Sequence, residues 1–294
     1  MGVKIICDAV SNLFEDILKE KQLDVKVMSM ILTIGDHEYS CYNDKLDIKE
    51  FSKTYYELMD KGETVRTTLV NPAQFADAFR EEIEKGNQVI CFTMAKGISG
   101  TNQSAILAMN EVNEEYKKEM VYVIDTMTAG LGEGLQVIHA EELRKQGKTF
   151  DEIKEECEAF KLYVRSDFTV DNIKFLIKTG RVAKTLAKFA NLINLKVLLK
   201  HNDESKIAFA GSVIGRKNSI KKLAKLVIDK INRNVDQIVY ITHCNVMEDA
   251  LKLKAYLEEE GITKIEIYDY DLISGAHIGP KSLAVFYISE ELAK

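Results

Sequence analysis

The stretch "QVICFTMAKGISGTNQSAILAMN", residues 88–110, starts as an apolar run of strand length, breaks at a glycine- and hydroxyl-bearing turn, and resumes with a helical period. A strand that feeds a helix through such a turn directs the free N–H groups of the helix's first turn at whatever lies beyond the strand, which favours an anion. The turn is not a phosphate loop, because no lysine followed by Ser or Thr comes after its second glycine, and no G-x-G-x-x-G fingerprint is present. It also lacks the last glycine of a G-x-S-x-G nucleophile elbow. A triad of Ser99 with Asp125 and His277 can be drawn from the sequence alone, but spacing gives it little support. Capping of the following helix by Ser99 or Thr101 competes with anion binding.

Working outward, "VKIIC" (3–7) and "VYVID" (121–125) read as further buried strands. Helical stretches "DIKEFSKTYYELMDKG", "NPAQFADAFREEIEKG" and "LGEGLQVIHAEELRKQG" separate or follow the strands, and the rest of the region before residue 88 reads as irregular. This βα alternation predicts a mostly parallel, doubly wound sheet with ligands beyond the carboxyl ends of its strands, near Asp8, the 95–101 turn and Asp125. From about residue 158 the strands come in closer succession, as in "SKIAFAGSVIG", "DQIVYITH", "KIEIYDY" and "KSLAVFYIS", with long helices near 215–233 and 246–260. The expectation is an α/β protein of two domains. Residues 1–159 form a Rossmann-like unit, and residues 160–294 form a second α/β unit with a mixed or antiparallel sheet.

Composition narrows the function. The 294 residues carry 40 basic and 46 acidic side chains, a net charge of −6, with no dominant basic block, which argues against nucleic acid. Five dispersed cysteines, mostly within apolar runs, read as reduced core residues and fit the cytoplasm. No cysteine or histidine spacing matches a metal site, no segment reaches the length of a membrane span, and the first residues have too short an apolar run for a signal peptide. Pro72 reads as the first residue of a helix capped by Asn71. "GLGEG" (130–134) reads as a helix-packing motif in preference to a nucleotide loop. His243 closes a strand and reads as structural. His277 stands in "GAHIGP", between glycines that permit close backbone approach, and is a candidate ligand contact. Arg181 and Arg216 each follow a glycine, and Arg216 heads a helix with Lys217, Lys221, Lys222 and Lys225, a cluster suited to a solvated face or to an acidic partner.

The ordered set "IICDAVSNL", "VRTTLVNPAQF", "GISGTNQSA", "VIDTMTAGLG", "FTVDNIKFLIKTGRV", "INLKVLL", "IGRKNSIKKL" and "GAHIGPKSLAVFY" resembles the DegV family of bacterial fatty-acid-binding proteins over nearly the whole chain. The resemblance implies a two-domain α/β carrier that holds a long-chain fatty acid in an apolar tunnel contributed by the second domain, with no cofactor and no catalytic residue of its own. It implies that the acid's carboxylate is presented to a fatty acid kinase, which makes acyl phosphate from ATP for phospholipid synthesis. The carboxylate-binding positions it implies are Thr67, Thr68, Lys96, Ser99, Gly100, Thr101, His277 and Gly279, with Arg181 and Arg216 as head-group or partner contacts. The sequence departs from the family pattern at several places. Cys7 and Ala9 flank Asp8 where the family has Thr-Asp-Ser, and Thr67-Thr68 replaces Thr-Ser. Ala95-Lys96 replaces paired serines, Thr179 stands for the first glycine of Gly-Gly-Arg, and Lys281 replaces the glycine that follows Gly279-Pro280. Two alternatives remain beside the carrier: an esterase or thioesterase using Ser99 and His277, and a lipid sensor that does not hand its ligand on.

Overall fold

The computed structural model describes residues 1–42, 47–190, 192 and 194–292. The chain opens with β1 (Gly2–Asp8), a 3-10 turn at Ala9–Ser11, α1 (Glu15–Glu20) and β2 (Val25–Met28). Next come β3 (Ile31–Ile34), β4 (His37–Ser40), α2 (Ile48–Asp60), β5 (Val65–Thr67) and α3 (Pro72–Glu84). The decisive stretch then forms β6 (Asn87–Thr93) and α4 (Thr101–Tyr116), followed by β7 (Val121–Asp125), α5 (Leu131–Lys145) and α6 (Phe150–Phe160). β2, β1, β6 and β7 make one parallel sheet in that order. Residues Val89–Thr93 of β6, between β1 and β7, are all buried, which is why that segment reads as an unbroken apolar run.

The chain leaves β1 toward β2 on one side and returns to β6 on the other, so the order of strand addition reverses between β1 and β6. At that point Asp8 ties the two loops together. Its carboxylate accepts the N–H of Val10 at 2.8 Å and that of Met94 at 3.0 Å. Asn71 and Pro72 behave as read: the Asn71 side chain accepts from Gln74 N, and Gln74 returns the bond to Asn71 N, closing a capping box.

The region read as irregular holds a three-stranded antiparallel sheet in the order β4-β3-β5. Its strands span only three or four residues each, too short to give an alternating signal. The sheet fixes the end of β5: Leu32 pairs with Thr67, Thr68 N donates to Ile31 O, and Ile31 N donates to Thr68 Oγ1 at 3.1 Å.

The second half continues with β8 (Val164–Val170), α7 (Lys174–Lys178), a 3-10 turn at Lys184–Phe189, β9 (Leu195–His201), β10 (Ile207–Ile214) and α8 (Arg216–Ile228). It ends with β11 (Val239–His243), α9 (Met247–Glu258), β12 (Ile265–Asp269), α10 (Leu272–Ile278) and β13 (Leu283–Ile288). These strands form a six-stranded mixed sheet, β10-β9-β8-β13-β11-β12, in which β11 and β12 run parallel and the other neighbours antiparallel. α8 and α9 cover one face through Leu223, Val227, Leu253 and Leu257.

α5 packs against the Ala9–Ser11 turn and β1 on one side and against β8 and β13 on the other, so it lies between the two large sheets. Its glycines permit this. A Cβ on Gly134 would stand 2.4 Å from the Ser11 carbonyl oxygen, and one on Gly132 would meet the Thr128 side chain at 2.4 Å and the Phe286 ring at 3.2 Å. The helix-packing reading of "GLGEG" holds. A second link runs through Asn12, which donates to Asp269 O at 3.0 Å and accepts from Asp271 N at 2.6 Å.

Three carboxyls are buried along this seam. Burial raises Asp8 to about 6 and Asp271 to about 8, and it lifts Glu133 well above the usual carboxylate range, with neighbouring acids adding to the effect. Asp271 also caps α10 by accepting Ser274 N at 2.7 Å.

Two outcomes follow for stability. Gly134→Val forces a side chain into the Ser11 carbonyl and should cost at least about 1–3 kcal/mol, read as a lowered thermal midpoint. Because the native Asp271 carboxyl sits above its ordinary value, folding takes up a proton, and this group's contribution is lost as pH rises from about 4 to about 8. Asp271→Asn keeps a cap acceptor and removes the titration. Its stability relative to the parent, measured by denaturant unfolding, should therefore improve steadily over that window, and a pH-independent difference would contradict the assignment.

Candidate functional site

Between the carboxyl ends of the parallel strands and the mixed sheet lies a cleft of about 730 Å³, counted to its open mouth. Its walls are largely apolar, from Met30, Phe168, Leu176, Ile207, Ile273 and Ile278. Four segments of the chain bring polar groups to it. The end of β5 supplies Thr67 and Thr68, the turn before α4 supplies Ser99 and Gly100, the segment after α7 supplies Arg181, and α10 supplies His277.

His277 Nε2 lies 3.1 Å from Thr67 Oγ1, and its Nδ1 is buried without a partner among the described residues. Burial, and then the Arg181 guanidinium, push the imidazole down to about 4, so it is neutral at ordinary pH. Arg181 donates to the carbonyl of Thr179 in its own turn. Among the described residues no carboxylate pairs with it, and burial lowers its pKa. The cleft thus joins apolar walls, neutral donors and one cation without a counter-ion.

The site residues read from the sequence divide here. Thr67, Thr68, Ser99, Gly100, Arg181 and His277 come together, whereas Lys96, Thr101, Gly279 and Arg216 do not line the cleft. Lys96 is 63% exposed and its ammonium lies 3.6 Å from the Asp125 carboxylate. Thr101 is buried behind the turn, with its hydroxyl 2.9 Å from Ser99 Oγ, which also accepts Thr101 N–H. Ser99 thus accepts the first N–H of α4 from the residue ahead of the N-cap Gly100, which has no side-chain cap of its own, while facing the cleft. Arg216 donates from Nε to Asp249 at 2.8 Å. Gly279 has φ of +81°, and a Cβ there would strike the Phe175 ring at 2.4 Å.

That last contact completes the reading of "GAHIGP". His277 lies in the last turn of α10 and lines the cleft, and the close approach that its flanking glycines permit is made by protein side chains. A Cβ on Gly275 would meet Tyr56 Oη at 2.2 Å. Ser99, Asp125 and His277 are not joined into a triad. Asp125 accepts from Lys96 N at 3.2 Å, Met127 N at 3.1 Å and Ser205 Oγ at 2.6 Å.

Those bonds show an element the sequence reading missed. The turn between β9 and β10 docks onto the loop after β6, where a Cβ on Gly97 would stand 2.3 Å from Ser205 O. The turn-forming "HNDESK" and Gly97 in "AKGIS" are the sequence signals, but nothing in their spacing pairs them. This docking places His201, at the end of β9, in the cleft wall.

The DegV family model, whose description reads "Uncharacterised protein, DegV family", matches residues 2–290. The chain belongs to the DegV family. A DegV domain-containing protein of Clostridium perfringens is 30% identical over 97% of this chain and 97% of its own length. A crystal structure described as a fatty acid binding DegV family protein from Streptococcus agalactiae superposes with a TM-score of 0.85 at 23% identity, covering 99% of this chain and 100% of that one. The Streptococcus pneumoniae Fatty Acid Kinase (Fak) B3 protein, loaded with linoleic acid, gives a TM-score of 0.82 at 20% identity with coverage of 99% and 100%. At these identities the solved structures establish the DegV fold for this chain.

The proximity of Arg181 to His277 is testable directly. In an NMR pH titration the His277 imidazole should change only below about pH 5. Arg181→Gln removes a neighbouring positive charge, so the His277 midpoint should rise. An unchanged midpoint would contradict the coupling.

Proposed function

We propose that this DegV protein is a carrier that binds a long-chain fatty acid, with the acyl chain against the apolar cleft and the carboxylate at Thr67, His277 and Arg181. The observation that carries this reading is Arg181, with no carboxylate partner among the described residues, beside a neutral, hydrogen-bonded Thr67–His277 pair in a largely apolar cleft. Such a lining favours one monovalent anion attached to a hydrocarbon body. Burial of the chain contributes about 0.8 kcal/mol per CH₂, so affinity resides in the walls and the polar groups orient the head. With Nε2 protonated, His277 donates to Thr67 Oγ1 and leaves the threonine hydroxyl proton for the carboxylate. Ser99 and Gly100 bring the first turn of α4 to the same place, and its N–H groups favour negative charge.

The likeness to the Fak B3 protein supports a second step, presentation of the bound acid to a fatty acid kinase. There the carboxylate oxygen would attack the terminal phosphorus of ATP, releasing ADP and leaving an acyl phosphate. The protein itself would supply binding and orientation, with the chemistry left to the kinase. Arg216, already paired with Asp249, would act with the lysines of α8 as a partner contact rather than at the head group. The esterase reading is disfavoured by a specific observation, since the Ser99 hydroxyl is engaged with Thr101 and Asp125 with Ser205.

Thr67→Val should weaken fatty-acid retention by roughly 1–3 kcal/mol, because the carboxylate loses a donor and His277 loses its acceptor. Retention is read by native mass spectrometry against a labelled fatty acid. Ser99→Ala should leave binding nearly intact and cost about 1 kcal/mol of stability through the α4 turn. Hydrolysis of an acyl ester by the parent that disappears in Ser99→Ala would instead establish the enzyme.

A further inference from the structure

The cleft contains a second histidine for which carboxylate binding has no use. His201 ends β9 beside Phe168, with ring centroids 5.8 Å apart, and lines the cleft near Ile207. Both its ring nitrogens are buried, and neither has a hydrogen-bond partner among the described residues. Unlike His277, which leans on Thr67, this imidazole has a donor and an acceptor both uncompensated, an arrangement that destabilises a wall unless a ligand supplies the partner.

The neighbourhood decides what kind of partner fits. Burial pushes His201 down to about 4, so the ring is neutral, and the charged group felt most strongly is the Asp125 carboxylate. Asp125 is itself committed to Ser205, to the N–H groups of Lys96 and Met127 and to the Lys96 ammonium, so it leaves His201 unbonded and the ring is offered no positive charge to share with a second anion. A neutral oxygen meets these constraints and a carboxylate does not. The other cleft residues around the ring, Phe168 and Ile207, are apolar and face the hydrocarbon part of a ligand.

We propose that His201 reads an oxygen substituent on the acyl chain, so that the preferred ligand is a hydroxylated long-chain fatty acid. This inference rests on the fatty-acid reading of the cleft and adds a specificity determinant to it. A hydroxyl both donates and accepts, as a neutral imidazole does, and a site built to bond a hydroxyl discriminates against the analogue that lacks it.

The full chain is incubated with equimolar octadecanoic acid and a series of its monohydroxy derivatives that differ in hydroxyl position, and occupancy is read by native mass spectrometry. At least one positional isomer should outcompete octadecanoic acid by about tenfold. His201→Phe should abolish that preference, so that no hydroxy isomer outcompetes octadecanoic acid on the variant. If the parent holds octadecanoic acid at least as tightly as every hydroxy isomer, the inference is overturned and the carrier reading stands. If no acid is held at all, both are overturned. The parent's own selectivity decides the matter even where His201→Phe fails to fold.

Discussion

The close approach of α5 to the Ser11 carbonyl is the constraint on which the remaining architecture depends. Gly134 and Gly132 remove the side chains that would hold the helix away from the Ala9–Ser11 turn and from Phe286, so one helix serves as the shared layer of both large sheets. With α5 fixed, the loop after β1 meets the start of α10, where Asn12 bonds to Asp269 and Asp271 across the seam. α10 then delivers His277 to Thr67 from the opposite half of the chain. The cleft is a consequence of this layering: it is the space left where the parallel strands end and the mixed sheet begins.

Charge in the cleft and along the neighbouring seam is managed by burial rather than by pairing. In the cleft His277 and His201 are held neutral by desolvation, and along the α5 seam Asp8, Asp271 and Glu133 are displaced toward their neutral forms by the same cause. Arg181 stands apart as a cleft cation without a carboxylate partner among the described residues. An anion entering the cleft therefore meets one cation and neutral donors. Asp125, the nearby acid, is turned to the task of holding the β9–β10 turn.

Three strands of the parallel sheet were legible because they are largely buried, so "VKIIC", "QVICFTM" and "VYVID" are plain apolar runs, whereas β2, half-buried at the sheet's edge, fell within the region read as irregular. The role of "GLGEG" was legible for a related reason, since its spacing suits close packing and fails every phosphate-loop pattern. The β3–β5 sheet was not legible as strands of three or four residues, although the Gly35-Asp36 step between "ILTI" and "HEYS" is a hairpin signal. α10 escaped because "LISGAHI" is short, carries an internal glycine and is apolar on every side but one. The glycines beside His277 were correctly tied to close approach, but sequence could not say that Tyr56 and Phe175 are what approaches. Lys96 replaces a family serine in the sequence pattern, and only the position of Asp125 shows that its ammonium turns away. His201 gave no signal at all, because its importance lies in what fails to bond to it. The ordered set of motifs across the chain brought the DegV family into view, which no single motif did.

The central claim is that the cleft is filled by a fatty acid in the protein as it is made. Denaturing extraction of the purified chain, followed by lipid mass spectrometry, tests it most directly. The account predicts close to one fatty acid per chain, retained through purification. A protein that arrives empty and also fails to take up added fatty acids would contradict it.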